Sequence, residues 1–147
     1  MKQRSGFVSN SSSSSFIVMD NDIKNYRPPT HHAGDEFTVD ENLGESEFGW
    51  EHTEYTGYGT KILFAYIQAR YVLENHPEWL AMLEKVIKEE LGVAKINWNI
   101  TGGYIDHQSS SEEGKNIEIF ENEQSLKNFL FNTETYIQGG NDNDYDY

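Results

Sequence analysis

Asp106, His107 and Ser109 lie close together in the chain, setting a carboxylate, an imidazole and a hydroxyl beside Gln108. These residue types can move a proton and attack a carbonyl or phosphoryl centre, with Ser109 or a bound water as nucleophile. On that reading the chain is a small hydrolase or transferase. Neighbours on an extended chain point to opposite faces, however, and no Gly-x-Ser-x-Gly elbow surrounds them. A polar turn network after Gly102-Gly103 therefore stands ahead of a catalytic site, and no residue is assigned a catalytic role with assurance.

Three further patterns invite a chemical reading. His31-His32 with Asp35 and Glu36 supplies imidazole and carboxylate, which suit zinc, yet adjacent histidines rarely chelate without a third fixed ligand. His52 or His107 could be that ligand, but nothing in the spacing requires it, so no metal and no cofactor is expected. Asp142, Asp144 and Asp146 alternate like the start of a calcium loop but lack its glycine and closing glutamate. Gly57-Tyr58-Gly59-Thr60-Lys61 lacks the spacing of a phosphate loop and reads as the turn that starts a helix.

Any such group needs a scaffold. Phe16 to Met19 reads as a buried strand, with Ser11 to Ser15 as a loop between it and Phe7-Val8. Asp20 to Asp35 is polar and carries Pro28-Pro29, which predicts an extended connection. Phe37 to Val39 is a short strand. Ile62, Tyr66, Ala69 and Leu73 share one face of a helix over 60–75. Pro77 opens a second helix carrying Trp79, Leu80, Leu83, Val86, Ile87 and Leu91, with Glu84 and Lys88 paired outside and Gly92 closing it.

Val93 to Ile100 alternates with the period of a half-buried strand, and Asn116 to Phe120 repeats the alternation after Glu112-Glu113-Gly114, which predicts a hairpin. Asn122 can cap a short helix bearing Leu126, Phe129 and Leu130. Thr135 to Gln138 reads as a last strand. The expectation is an α+β fold, a two-helix block packed on one face of a small, mainly antiparallel sheet. Residues 1–140 would form a single acidic domain and 141–147 a mobile acidic tail.

At 147 residues the chain suits one domain with one core, and its 14% of aromatics predicts a core built on large rings. Eleven Lys and Arg against twenty-five Asp and Glu leave a formal charge of -14. Such a chain repels phosphate backbones, because general nucleic-acid affinity comes from cations displacing condensed counterions. Direct nucleic-acid binding is not expected. With no cysteine, disulfides and thiolate chemistry are excluded, and a reducing cytoplasm is the default compartment. The start of the chain runs into serines instead of an apolar stretch, so it does not read as a signal peptide. No apolar run approaches the roughly eighteen residues of a membrane helix, and no membrane partner is expected.

The acid is concentrated. Between Asp35 and Glu54 the chain carries Glu36, Asp40, Glu41, Glu45, Glu47 and Glu51 with no Lys or Arg. Within this run sits Phe48-Gly49-Trp50, read first as an anchor into the core and second as an exposed hot spot. Glu41, Glu45, Glu47, Glu51 and Glu54, with Trp50 as a possible anchor, form the candidate partner-binding set.

Arg4-Ser5-Gly6-Phe7-Val8-Ser9-Asn10, the serine run and Phe16-Ile17-Val18 carry a resemblance, joined by Phe48-Gly49-Trp50, by Gly103 to Ser109, by Phe129 to Asn132 and by Gly140 to Asn143. Across most of its length the chain resembles a group of small uncharacterised proteins encoded by bacteriophages and their bacterial hosts. The resemblance implies a setting, a phage or mobile-element accessory protein in a bacterial cell, and no chemistry. Charge and setting together lead to a non-catalytic binding protein that occupies a basic surface of a host or defence protein, as a nucleic-acid mimic inhibiting a nucleic-acid-processing enzyme. The hydrolase or transferase on Asp106 and His107 is the alternative, and a virion structural component a third. Oligomeric state is left open.

Overall fold

The computed structural model describes residues 13–29, 35–48, 53–72, 75–105 and 116–141. Its strands are β1 (Ser13–Val18), β2 (Glu36–Asp40), β3 (Glu47–Phe48), β4 (Thr53–Tyr55), β5 (Lys95–Asn99), β6 (Tyr104–Ile105) and β7 (Tyr136–Asn141). The helices are α1 (Tyr58–Ile67), α2 (Pro77–Leu91) and α3 (Glu123–Phe131), with short 3-10 turns at Ile23–Asn25 and Glu118–Phe120. The class is α+β, and the largest sheet is antiparallel, in the order β1-β7-β4. Two parallel pairs, β2 with β5 and β3 with β6, stand apart from it.

Helix α1 is the hub. Every residue from Lys61 to Ala69 is buried, so the helix is covered all round, in the manner of a core helix. It continues through a π-helical turn, Gln68–Val72, and the amide of His76 then bonds back to the carbonyl of Ala69 at 2.8 Å. Helix α2 is amphipathic instead, burying Leu83, Val86, Ile87 and Leu91. Proline stands in its first turn, and Gly92 ends it in the left-handed region at φ 72°, where the absence of a Cβ removes the steric penalty. Asn122 caps α3, its Oδ1 accepting from the Ser125 amide at 2.8 Å.

Rings make the centre of the core, as the composition implied. Phe64 of α1 meets Phe48 edge-on at 5.1 Å and lies 6.0 Å from Phe129 of α3. Edge-to-face contacts of this kind set the positive rim of one ring on the negative face of another. Phe48 is therefore the anchor expected of the Phe48-Gly49-Trp50 group, while Trp50 lies outside the described residues.

Three local expectations are corrected. Ser13 to Ser15 are strand and not loop, pairing with Gly139 to Asn141 of β7. Strand pairing joins backbones, so a partner from the far end of the chain orders a segment that has few apolar side chains. The apolar stretch after it is half-buried, with Met19 37% exposed. Second, no hairpin forms at Asn116 to Phe120, where the chain is helical or 3-10. The buried Asn116 takes the place of a strand there, its Oδ1 accepting from the Ile17 amide at 3.2 Å and its Nδ2 donating to the Ser15 carbonyl at 3.1 Å. Third, Asn141, expected to begin the tail, belongs to β7; the rest of the expected tail, 142–147, lies outside the described residues.

Candidate functional site

The loop from Glu41 to Glu45 is laid over the start of α1 by close backbone contacts. Gly59 lies so near the loop that a Cβ built on it would stand 2.3 Å from the carbonyl oxygen of Leu43. Thr60 Oγ1 accepts from the Glu45 amide at 3.0 Å, and the Leu43 amide bonds to the Asp40 carbonyl at 3.0 Å. This stretch is thus held as a fixed surface.

Strand alternation then sorts the side chains. In β3 Phe48 points inward and Glu47 outward; in β4 Glu54 is exposed between the half-buried Thr53 and Tyr55. Phe48 and Tyr55 meet edge-on with centroids 5.3 Å apart, so the inner faces of these two strands touch while their carboxylates face water. Glu41 and Glu45 are exposed on the loop before them. Among the described residues, Glu41, Glu45, Glu47 and Glu54 pair with no Lys or Arg. Glu51 lies outside the described residues.

The helical side is arranged in the opposite way. Lys85 Nζ reaches Glu123 at 2.6 Å and Glu89 at 3.8 Å; Lys88 reaches Glu84 at 3.0 Å, as the i,i+4 spacing implied. Lys127 lies between Glu89, at 3.4 Å, and Glu90, at 3.7 Å. Lys95 sits 3.8 Å from Glu36 and Lys24 3.6 Å from Asp22. Glu84 also accepts from the Trp98 indole at 3.1 Å, and that bond, with Lys88, holds its carboxyl below the usual range. Among the described residues the paired lysines thus lie against carboxylates of the helices, of β2 and of the Asp22 turn.

The catalytic alternative cannot be placed, since Asp106, His107 and Ser109 lie outside the described residues. The same is true of His31, His32 and His52. Of the zinc candidates Asp35 and Glu36 are described: the Asp35 carbonyl accepts from the Ala94 and Lys95 amides at 3.0 and 2.9 Å, and Glu36 accepts from Asn97 Nδ2 at 2.8 Å beside Lys95. No group of three or more His, Asp or Glu able to hold a metal occurs among the described residues. No helix among them is long and apolar enough to cross a membrane.

Two features escaped the reading by sequence. Lys61, expected at the turn that starts α1, is 1% exposed, and its Nζ donates to the Asn132 carbonyl at 2.8 Å. Burial lowers its pKa from the ordinary 10.5 to about 8, opposed by the charge of Glu134. Beside it runs an amide network: Asn132 Nδ2 lies 2.9 Å from the Asp20 carbonyl and 3.0 Å from its carboxylate, and Asn25 Nδ2 reaches the same carboxylate at 3.0 Å. These bonds, Asn25's foremost, hold the Asp20 carboxyl below its usual range. Only the cluster Asp20, Asp22 and Asn25, read as loop, hinted at either feature.

Compared with known protein families, with curated proteins and with solved structures, the chain matches none.

Proposed function

We propose that the protein is a non-catalytic binding protein whose acidic strip occupies a basic surface of a host or defence protein, as a nucleic-acid mimic would. The observation that carries this reading is the contrast in charge pairing. Among the described residues Glu41, Glu45, Glu47 and Glu54 are exposed without a cation, while the surface lysines pair with carboxylates of the helices, of β2 and of the Asp22 turn. Unpaired carboxylates on a fixed surface keep their field available to a partner, and that field steers encounter and selects basic patches. Trp50 and Glu51 fall within the same run and complete the proposed surface. The resemblance to phage and host proteins supplies the setting, a bacterial cell in which a nuclease channel is such a patch.

The test is capture of the intact protein's partners from bacterial cells at low and high salt, alongside a variant in which Glu41, Glu45, Glu47 and Glu54 are all Gln. A charge-driven partner is released as screening shortens to a Debye length of about 8 Å and below. The reading expects a nucleic-acid-processing protein that salt releases, that the Gln variant loses, and that DNA or RNA displaces. Capture indifferent to salt and to the four substitutions would overturn it.

A further inference from the structure

We propose a second site, a cleft of about 550 Å³ between the Asp20–Tyr26 turn, the end of α2 and the start of α3, that binds a neutral polyhydroxylated ligand of the saccharide class. Its size falls within the range of small-molecule pockets, roughly 300–1,000 Å³. Four amides line it, Asn21, Asn122, Gln124 and Asn128, joined by the hydroxyls of Ser125 and Tyr26. Asn128 and the Oδ1 atoms of Asn21 and Asn122 are engaged within the protein, which leaves the Gln124 amide, the Nδ2 groups of Asn21 and Asn122 and the Ser125 hydroxyl to meet the vicinal hydroxyls of a sugar.

The charge at the site argues against a strongly charged ligand. Glu90, the carboxylate of the lining, is already engaged, accepting from the Tyr26 hydroxyl at 2.7 Å and lying 3.7 Å from Lys127. Lys127 is itself shared with Glu89 at 3.4 Å. The cation and the carboxylate of the lining thus lie beside opposite charges, which leaves no lone charge there for a phosphate or an amine. What remains is neutral hydrogen-bonding capacity.

The walls are preformed. Asn128, 8% exposed at the floor, donates to Asn21 Oδ1 at 2.9 Å and to the Asp20 carbonyl, while its own Oδ1 accepts from Asn132 at 3.1 Å. The turn above is tied at both ends: the Lys24 amide bonds to Asp22 Oδ1 at 3.0 Å and the Arg27 amide to the Phe131 carbonyl at 2.8 Å. On this fixed turn Ile23 is 82% exposed at the rim of the cleft. An isoleucine held in water at the rim of the cleft supplies the apolar flank against which the C–H face of a sugar ring packs. Because no wall must be ordered on binding, the conformational cost is low.

The test is a titration of the full chain followed by amide NMR, with glucose, galactose and N-acetylglucosamine as probes and inorganic phosphate as the control. The expected result is saturable shifts at Ile23, Asn122, Gln124 and Ser125 with at least one sugar and none with phosphate. Gln124→Ala and Ile23→Ser, both at exposed positions, should each weaken that binding about tenfold, the equivalent of one hydrogen bond or one apolar contact. Failure of every sugar to shift these signals at tens of millimolar, a response to phosphate alone, or sugar binding untouched by both substitutions would overturn the proposal. None of these readouts involves the acidic strip.

Discussion

Lys61 donates its ammonium to the main-chain carbonyl of Asn132 at 2.8 Å, tying the centre of α1 to the residue that follows α3. The bond crosses 71 positions of sequence and is buried. Asn132 in turn holds Asp20, so one chain of polar contacts joins α1, α3 and the end of β1 inside an aromatic core.

That ammonium is carried at a cost. In the folded protein its pKa lies near 8, below the ordinary 10.5, so between those values the unfolded chain binds more protons and stability rises with pH. Below pH 8 the full penalty applies. Lys61→Met should therefore raise stability at pH 7 by about 1–2 kcal/mol and flatten the rise. The Asn132 carbonyl keeps a donor in the variant, the Thr135 amide at 3.1 Å. Denaturant melts between pH 7 and 10 check both points, and a loss of stability in the variant would contradict them. Above that window Tyr26 acts in the opposite sense, since burial and Glu90 raise its pKa and its share of stability is lost as it ionises.

Asn132→Ala should destabilise the fold by about 2–4 kcal/mol, because its Nδ2 shares two hydrogens among the Asp20 carbonyl, the Asp20 carboxylate and Asn128 Oδ1, and its Oδ1 accepts from the Glu134 amide. The same variant, and Asn25→Ala more strongly, should let the Asp20 pKa return toward 3.8. A carboxyl held low in the folded state stabilises it above the ordinary pKa and loses that share as pH falls through the folded value. Carboxyl carbon shifts followed through acid titration measure the change; an unmoved Asp20 would show that the network does not hold it.

Gly59→Ala should cost about 1–3 kcal/mol, since the new methyl meets the backbone carbonyl of Leu43 and the loop must yield. The displaced stretch is the one bearing Glu41 and Glu45, so the variant should also expose the loop's amides. Hydrogen exchange at Asn42 to Glu45 reads this directly. Unchanged protection would mean that the loop is not clamped by α1.

The elements that depend on near neighbours were legible in the sequence. Helix α2 announced itself through Pro77, the three-to-four spacing of Leu83, Val86 and Ile87, and Gly92; α3 through Asn122; β2 and β5 through their short apolar alternation. These signals rest on backbone geometry and capping within a few residues, which composition and spacing report. The acidic run and its embedded phenylalanine were legible for the same reason. What only the tertiary structure decided are the contacts between distant segments. The serine run becomes β1 because β7 supplies a backbone partner, and Asn116 leaves the hairpin because its side chain completes β1's bonding. Lys61 and the cleft at Tyr26 exist only where α1, α2, α3 and the Asp20 turn converge. A lysine in a sequence reads as surface, and it takes the packing of the whole domain to remove its water and halt its charge against a carbonyl.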